Sequence, residues 1–223
     1  MPGLFVAGTG TDVGKTYVSA ALIRALLARG RAVDALKPVV SGFDPADAGR
    51  SDPAVLLKAL GRAATPDALA EMSPWRFAAP LSPPLAAKRE GRTLSAAEVT
   101  SLCRARLSKA PSHLLVVESA GGIMSPLDET ATMLDLAADL ALPVLLVAGS
   151  YLGTISHTLT ALAAMAARGL APVAVVVSES LDAPPLDETI AALRGFTAPL
   201  PVLAAPRGAP APPELVDLVA ALA

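Results

Sequence analysis

Residues 3–30 read GLFVAGTGTDVGKTYVSAALIRALLARG. The apolar run Leu4-Phe5-Val6-Ala7 is short and suits a strand. The middle carries Gly8, Gly10 and Gly14, and from Lys15 to Ala28 the chain turns into an amphipathic Ala/Leu segment that Gly30 closes. Strand, glycine-rich turn and helix in direct succession predict one unit of a parallel α/β fold. The same succession gathers backbone N–H groups and the positive end of a helix dipole at one point, a natural seat for an anion.

Gly14-Lys15-Thr16, placed after a strand and opening a helix, is the context of a phosphate-binding loop. Lys15 is expected to reach the terminal phosphates of a nucleotide, and the Thr16 hydroxyl to ligate Mg²⁺. Asp12, Val13, Gly14 and Tyr17 complete the nucleotide-side residues of this turn. The loop is a variant: Thr9 stands where the common form has its first glycine, and glycines fall at Gly8 and Gly10 instead.

Working outward, short Val/Leu runs alternate with longer Ala/Leu segments. Strands are expected at 4–7, 32–37, 114–118, 144–148, 173–177 and 202–204. Helices are expected at 15–28, 52–60, 96–109, 130–140, 154–167, 186–193 and 213–222. The strands lack apolar/polar alternation, as expected when helices cover both faces. The fold class is therefore α/β: a single domain over 1–223, P-loop NTPase-like, with a mostly parallel sheet and helices on both faces. Ser95 and Glu98 read as a capping box, and Gly30, Gly61 and Gly169 as helix ends. Between Thr65 and Arg92, five prolines and the lone Trp75 read as one long ordered loop.

Composition excludes several roles. The chain has 223 residues, 53% hydrophobic and only 3% aromatic, so its core rests on Ala, Leu and Val. A net charge of −2 from 18 basic and 20 acidic side chains, with no basic block, argues against nucleic acid as a partner. Cys103 is the only cysteine, which rules out an internal disulfide, suits a reducing compartment and reads as a small core residue. Strand-like residues begin at Leu4 without a basic leader, and the longest apolar runs fall short of a membrane span. A cytoplasmic protein with no membrane association is expected.

Partitioning and division-site ATPases also carry a variant loop, with a second lysine five residues before the loop lysine. Gly10 occupies that position here, which disfavours a P-loop switch that binds a protein partner, the alternative function. A glutamine-using amidotransferase of the cobyrinic acid type starts similarly but needs a further domain with catalytic Cys and His. The chain instead resembles the dethiobiotin synthetases. The matching pieces are GTGTDVGKT at 8–16, KPVVSG at 37–42, Ser51-Asp52, PWRFAAPLSPPLAA at 74–87, VVESAGG at 116–122 and LGTISHT at 152–158, in that family's order over nearly the whole chain.

The resemblance implies a Mg²⁺- and ATP-dependent ligase. Its substrates would be 7,8-diaminopelargonate, CO₂ and ATP, joined through a carbamate and a carbamic-phosphoric anhydride. Lys37 and Lys15 would be catalytic, supplying positive charge between two anions. Thr16, Asp52 and Glu118 would hold Mg²⁺. Ser119, Ala120 and Gly121 would approach the nucleotide, with Ser119 standing where the family usually has Gly. Ser41, Lys37 and the segment Tyr151, Leu152, Gly153, Thr154 would bind the amine substrate, the last from the neighbouring subunit of a homodimer, with Tyr151 where other members often carry Lys. The base would meet Ser178 and Glu179, where the family often has Asn-Asp, and the loop Pro206, Arg207, Gly208. A single hydroxyl in place of an amide predicts relaxed base choice, with CTP or GTP accepted. His157 reads as a packing residue rather than a base, and His113 as a surface residue.

Overall fold

The computed structural model describes residues 2–109, 112–181 and 183–222. Strands β1 (Gly3–Gly8), β2 (Val33–Leu36), β5 (Leu114–Glu118), β6 (Val144–Gly149), β7 (Pro172–Ser178) and β8 (Val202–Ala205) form one parallel sheet in the order β2-β5-β1-β6-β7-β8. A second parallel pair joins β3 (Val39–Ser41) to β4 (Trp75–Phe77). The helices are α1 (Lys15–Ala28), α2 (Asp52–Ala59), α3 (Pro66–Met72), α4 (Pro83–Arg89), α5 (Ala96–Lys109), α6 (Met133–Leu140), α7 (Thr154–Ala167), α8 (Leu186–Thr197) and α9 (Pro213–Ala220), with a 3₁₀ segment at Pro45–Arg50.

Side chains alternate across each strand, so both faces of the sheet become core. Phe5 and Ala7 of β1 join Leu115, Val117 and Leu146 under α4 to α8. Leu4 and Val6 join Leu114, Val116 and Leu145 under α1, α2, α3 and α9. This two-sided burial is what the unbroken apolar strands anticipate. Each fully buried Leu, Val or Phe contributes about 1.5–3 kcal/mol of transfer free energy. Cys103 lies in that core, where burial pushes its thiol up to about 12.

Some boundaries shift. The expected helix from Thr130 starts at Met133, because Thr132 caps it: the Asp135 N–H reaches the Thr132 hydroxyl while the Asp135 carboxylate accepts the Thr132 N–H. The helix at 186 runs on to Thr197, and those at 52 and 213 stop at Ala59 and Ala220. The box at Ser95 is only half formed, with the Glu98 N–H 3.5 Å from Ser95 Oγ, and Asp128 accepts the Ala96 N–H at 2.8 Å instead. Ser51 likewise turns its hydroxyl to the Ala48 carbonyl, at 2.6 Å, rather than capping α2. Gly30, Gly61 and Gly169 close helices in the left-handed region, as read from sequence.

The larger correction is the segment 65–92, which is α3, β4 and α4 rather than one loop. Pro66 and Pro83 open helices, where a missing N–H costs nothing, and the Thr65 hydroxyl accepts the Ala68 N–H at 3.2 Å. Trp75, Arg76 and Phe77 pair with Val39, Val40 and Ser41. Arg92 stacks on the Phe77 ring, 4.5 Å from its centroid. This module stands beside the carboxyl ends of the main strands and becomes a wall of the site.

Candidate active site

The chain runs from β1 to β2 and β5 on one side and then crosses to β6, β7 and β8 on the other, and this reversal opens a crevice at the strands' carboxyl ends. The cleft there has a volume of about 830 Å³. The turn between β1 and α1 forms its floor. Gly14, at φ 92°, ends the turn, and a Cβ there would overlap the Ser178 side chain. On the other flank, a Cβ at Gly122 would press within 3.1 Å of Gly10 Cα and the Thr9 carbonyl. The Ile123 N–H, donating to the Gly8 carbonyl at 2.7 Å, locks these two turns together.

Parallel pairing builds the charged centre. Leu36 of β2 lies opposite Val117 of β5, so the next residues, Lys37 and Glu118, meet. Lys37 Nζ donates to Glu118 Oε1 at 2.8 Å, pairs with the Asp52 carboxylate and stands 3.5 Å from Thr16 Oγ1. The Thr16 hydroxyl donates to the same Glu118 oxygen at 2.6 Å. Burial opposes the charge on Lys37, but Glu118 and Asp52 outweigh it and raise the ammonium above its ordinary value. Burial likewise opposes charge on Asp52, and Lys37 overrides it, holding that carboxyl below the usual range. Lys15 donates to the Gly10 carbonyl at 2.9 Å, and its burial, with Lys37 nearby, lowers it to about 8.

Ser73 is a residue that sequence reasoning missed. Its hydroxyl, fully buried, donates to the Lys37 carbonyl at 2.5 Å, and the Lys37 N–H donates to the Met72 carbonyl at 3.1 Å. The α3–β4 junction thereby fixes the backbone that carries the lysine. Val39, Val40, Gly42, Pro80, Leu81, Ser82, Pro83 and Ser125 also line the cleft unanticipated. Val39 and Val40 belong to the β3–β4 pair, whose three-residue strands are too short to read from periodicity.

The structure brings Asp12, Val13, Gly14, Lys15, Thr16, Tyr17, Lys37, Ser41, Asp52, Ala120, Gly121, Ser178, Glu179 and Arg207 onto one cleft. Ser41 Oγ is buried without a partner. Glu118 and Ser119 are buried and do not line the cleft; Glu118 reaches it through its bonds to Thr16 and Lys37, whereas the Ser119 hydroxyl meets no partner. Pro206 and Gly208 do not line the cleft, and the Tyr17 hydroxyl ties their loop through the carbonyls of Pro206 at 2.7 Å and Ala209 at 2.8 Å. Tyr151, Leu152, Gly153 and Thr154 do not line this cleft. Tyr151 Oη meets His157 Nδ1 at 2.8 Å, the Thr154 hydroxyl donates to the Gly149 carbonyl, and Leu152 is 95% exposed. His113 is exposed ahead of β5.

Comparison with known proteins agrees with this geometry. A family model described as an AAA domain matches residues 2–206. An ATP-dependent dethiobiotin synthetase of Caulobacter sp. strain K31 is 58% identical over 93% of this chain and 89% of that protein. One of Methylobacterium nodulans is 50% identical over 99% of this chain and all of its own length. Among solved structures, the MinC:MinD cell division complex of Aquifex aeolicus has a TM-score of 0.54 at 13% identity, covering 100% of this chain and 86% of that one. The signal recognition particle receptor FtsY of Elizabethkingia anophelis has 0.53 at 14%, covering 90% and 57%. At such identities these likenesses concern the fold alone. With half or more of its residues identical to those relatives across nearly their full length, the chain belongs to the ATP-dependent dethiobiotin synthetase family.

Proposed function

We propose that the protein closes the cyclic urea of dethiobiotin from 7,8-diaminopelargonate, CO₂ and ATP, acting as a carbon–nitrogen ligase. The observation that carries this reading is the meeting of Lys37, Asp52, Glu118 and Thr16 beside the phosphate loop. One amine of the substrate adds to CO₂ and loses a proton, giving a carbamate. A carbamate oxygen bonds to the γ-phosphorus as the bond to the β-bridging oxygen breaks and ADP leaves. The second amine attacks the carbonyl carbon of the mixed anhydride, phosphate departs, and the ring closes with loss of a further proton.

The obstacle is that one anion strikes another. Lys15 and Lys37 answer it by holding two ammonium groups on one cleft. Lys37 lies on the side toward Ser41, whose unpaired hydroxyl is free to bond the carbamate or an amine. The helix α1 N-terminus and the turn from Asp12 to Tyr17 seat the phosphates.

The donor set fits Mg²⁺. Glu118 Oε2 is buried without a hydrogen-bond partner, and the Thr16 hydroxyl and Asp52 carboxylate share the same cluster, all hard oxygens. Thr16, Asp52 and Glu118 would hold the ion, which when bound neutralises charge on the β- and γ-phosphates.

The reading extends to a cytoplasmic homodimer of one-domain subunits, in which 151–154 of one subunit meets the substrate tail bound by its neighbour. The exposure of Leu152 supports it, and no helix among the described residues is long and apolar enough to cross a membrane. The test is product formation from diaminopelargonate, bicarbonate, Mg²⁺ and ATP. Wild type should form dethiobiotin, and Lys15→Ala and Lys37→Ala should lose about 10²–10³ in rate. Absence of product with wild type would overturn the reading.

A further inference from the structure

The oxygens that would hold Mg²⁺ already surround a cation of the chain's own. Lys37 Nζ donates to Glu118 Oε1 at 2.8 Å, pairs with Asp52 Oδ2 and stands 3.5 Å from Thr16 Oγ1. These are the side chains to which the ligase reading gives the ion. An ammonium keeps its carboxylate oxygens at about 2.7–2.9 Å, whereas Mg²⁺ draws oxygens in to about 2.0–2.1 Å. The two cations compete for one place between the carboxylates. Glu118 and Asp52 together carry two negative charges, so a divalent ion beside the ammonium would leave the pocket with an excess of positive charge.

The cage is lopsided around Lys37. Glu118 Oε1 accepts from both Lys37 and Thr16, at 2.8 and 2.6 Å, while Oε2 is buried with no partner. An ammonium satisfies only the oxygens its N–H groups point at. A bare oxygen on a wholly buried carboxylate is costly, and an ion that accepts either one or two oxygens of a carboxylate would relieve it.

The ammonium is free to leave, although its backbone is not. The Ser73 hydroxyl and the Met72 carbonyl hold both main-chain groups of Lys37, so movement falls to its flexible four-carbon stem. The Asp52 side chain is 46% exposed, against 0% for Glu118, so the cage opens to the cleft on the Asp52 side.

We propose that Lys37 is a placeholder cation: its ammonium fills the place between Glu118 and Asp52, keeps Mg²⁺ from binding the protein alone, and gives way when nucleotide phosphates offer it other acceptors. The identity of the metal rests on the ligase reading. Metal and nucleotide then enter together, and the displaced ammonium passes to the phosphoryl group, where positive charge is needed.

Titration calorimetry of Mg²⁺ alone into the full chain, with thermal unfolding at the same Mg²⁺ concentrations, tests this. Lys37→Met should bind Mg²⁺ at least about tenfold more tightly than wild type does. Mg²⁺ that saturates this variant should raise its melting temperature, or restore its fold if it unfolds in buffer, and should leave wild type and the double variant Lys37→Met, Glu118→Leu unmoved. Wild type that binds Mg²⁺ alone as tightly as Lys37→Met, a single variant that Mg²⁺ neither binds nor stabilises, or a double variant stabilised equally would overturn the placeholder. None of these outcomes bears on whether wild type forms product, which decides the ligase reading separately.

Discussion

Lys37 and Glu118 stand side by side at the ends of neighbouring parallel strands, with Nζ 2.8 Å from Oε1 and both side chains at most 5% exposed. Removing one partner strands a buried charge. Lys37→Ala should therefore destabilise the fold by about 3–5 kcal/mol, besides lowering the rate by about 10²–10³. The double variant Lys37→Met, Glu118→Leu should recover most of the melting temperature while the rate stays at least as low as in Lys37→Ala. Thermal unfolding and product assays on the same preparations check both; a double variant no more stable than Lys37→Ala would contradict the account.

Ser73→Ala should leave the Lys37 carbonyl short of a donor. A loss of about 1–3 kcal/mol in denaturant unfolding is expected. A fall in kcat larger than the change in KM for nucleotide should accompany it, since the lysine rather than the phosphate loop is displaced. Steady-state kinetics decide the split.

The phosphate loop, the two-faced sheet and most helices were legible because their cues are local. Gly14-Lys15-Thr16 sits next to its own strand, and the unbroken apolar runs state their double burial. The Lys37–Glu118 pair was not legible from the residues alone, because it depends on strand register across 81 positions. Ser73 escaped for the same reason: nothing near it in sequence marks a carbonyl contributed by Lys37. The prolines of 65–92 misled because Pro66 and Pro83 start helices as readily as they interrupt them. Three-residue strands such as Val39–Ser41 leave too little period to detect.

Phe77 tests whether that segment is a structured wall. It is wholly buried, paired with β3 and covered by Arg92. Phe77→Ala should cost about 3–5 kcal/mol. A change below 1 kcal/mol would contradict a packed wall, and urea unfolding measures it directly.

The capping box of α6 predicts acid sensitivity. The hydroxyl and N–H of Thr132 hold the Asp135 carboxyl below the ordinary carboxylate range, with burial opposing and Arg168 assisting. A carboxyl depressed in the folded state contributes stability that is present above its unfolded value, about 3.9, and is lost as pH falls through its folded value. Thr132→Ala should cost about 1 kcal/mol at pH 7. The gap between Asp135→Asn and wild type should narrow as pH falls below about 4; melting curves across pH 3–7 follow it.

The most direct test of the central claim, that a carbamate oxygen strikes the γ-phosphorus beside Lys37, is the fate of oxygen from bicarbonate. With fully oxygen-18-labelled bicarbonate, the released phosphate should carry one labelled oxygen for each dethiobiotin formed, and the urea carbonyl the other. Phosphate released without label, while product still forms, would contradict it.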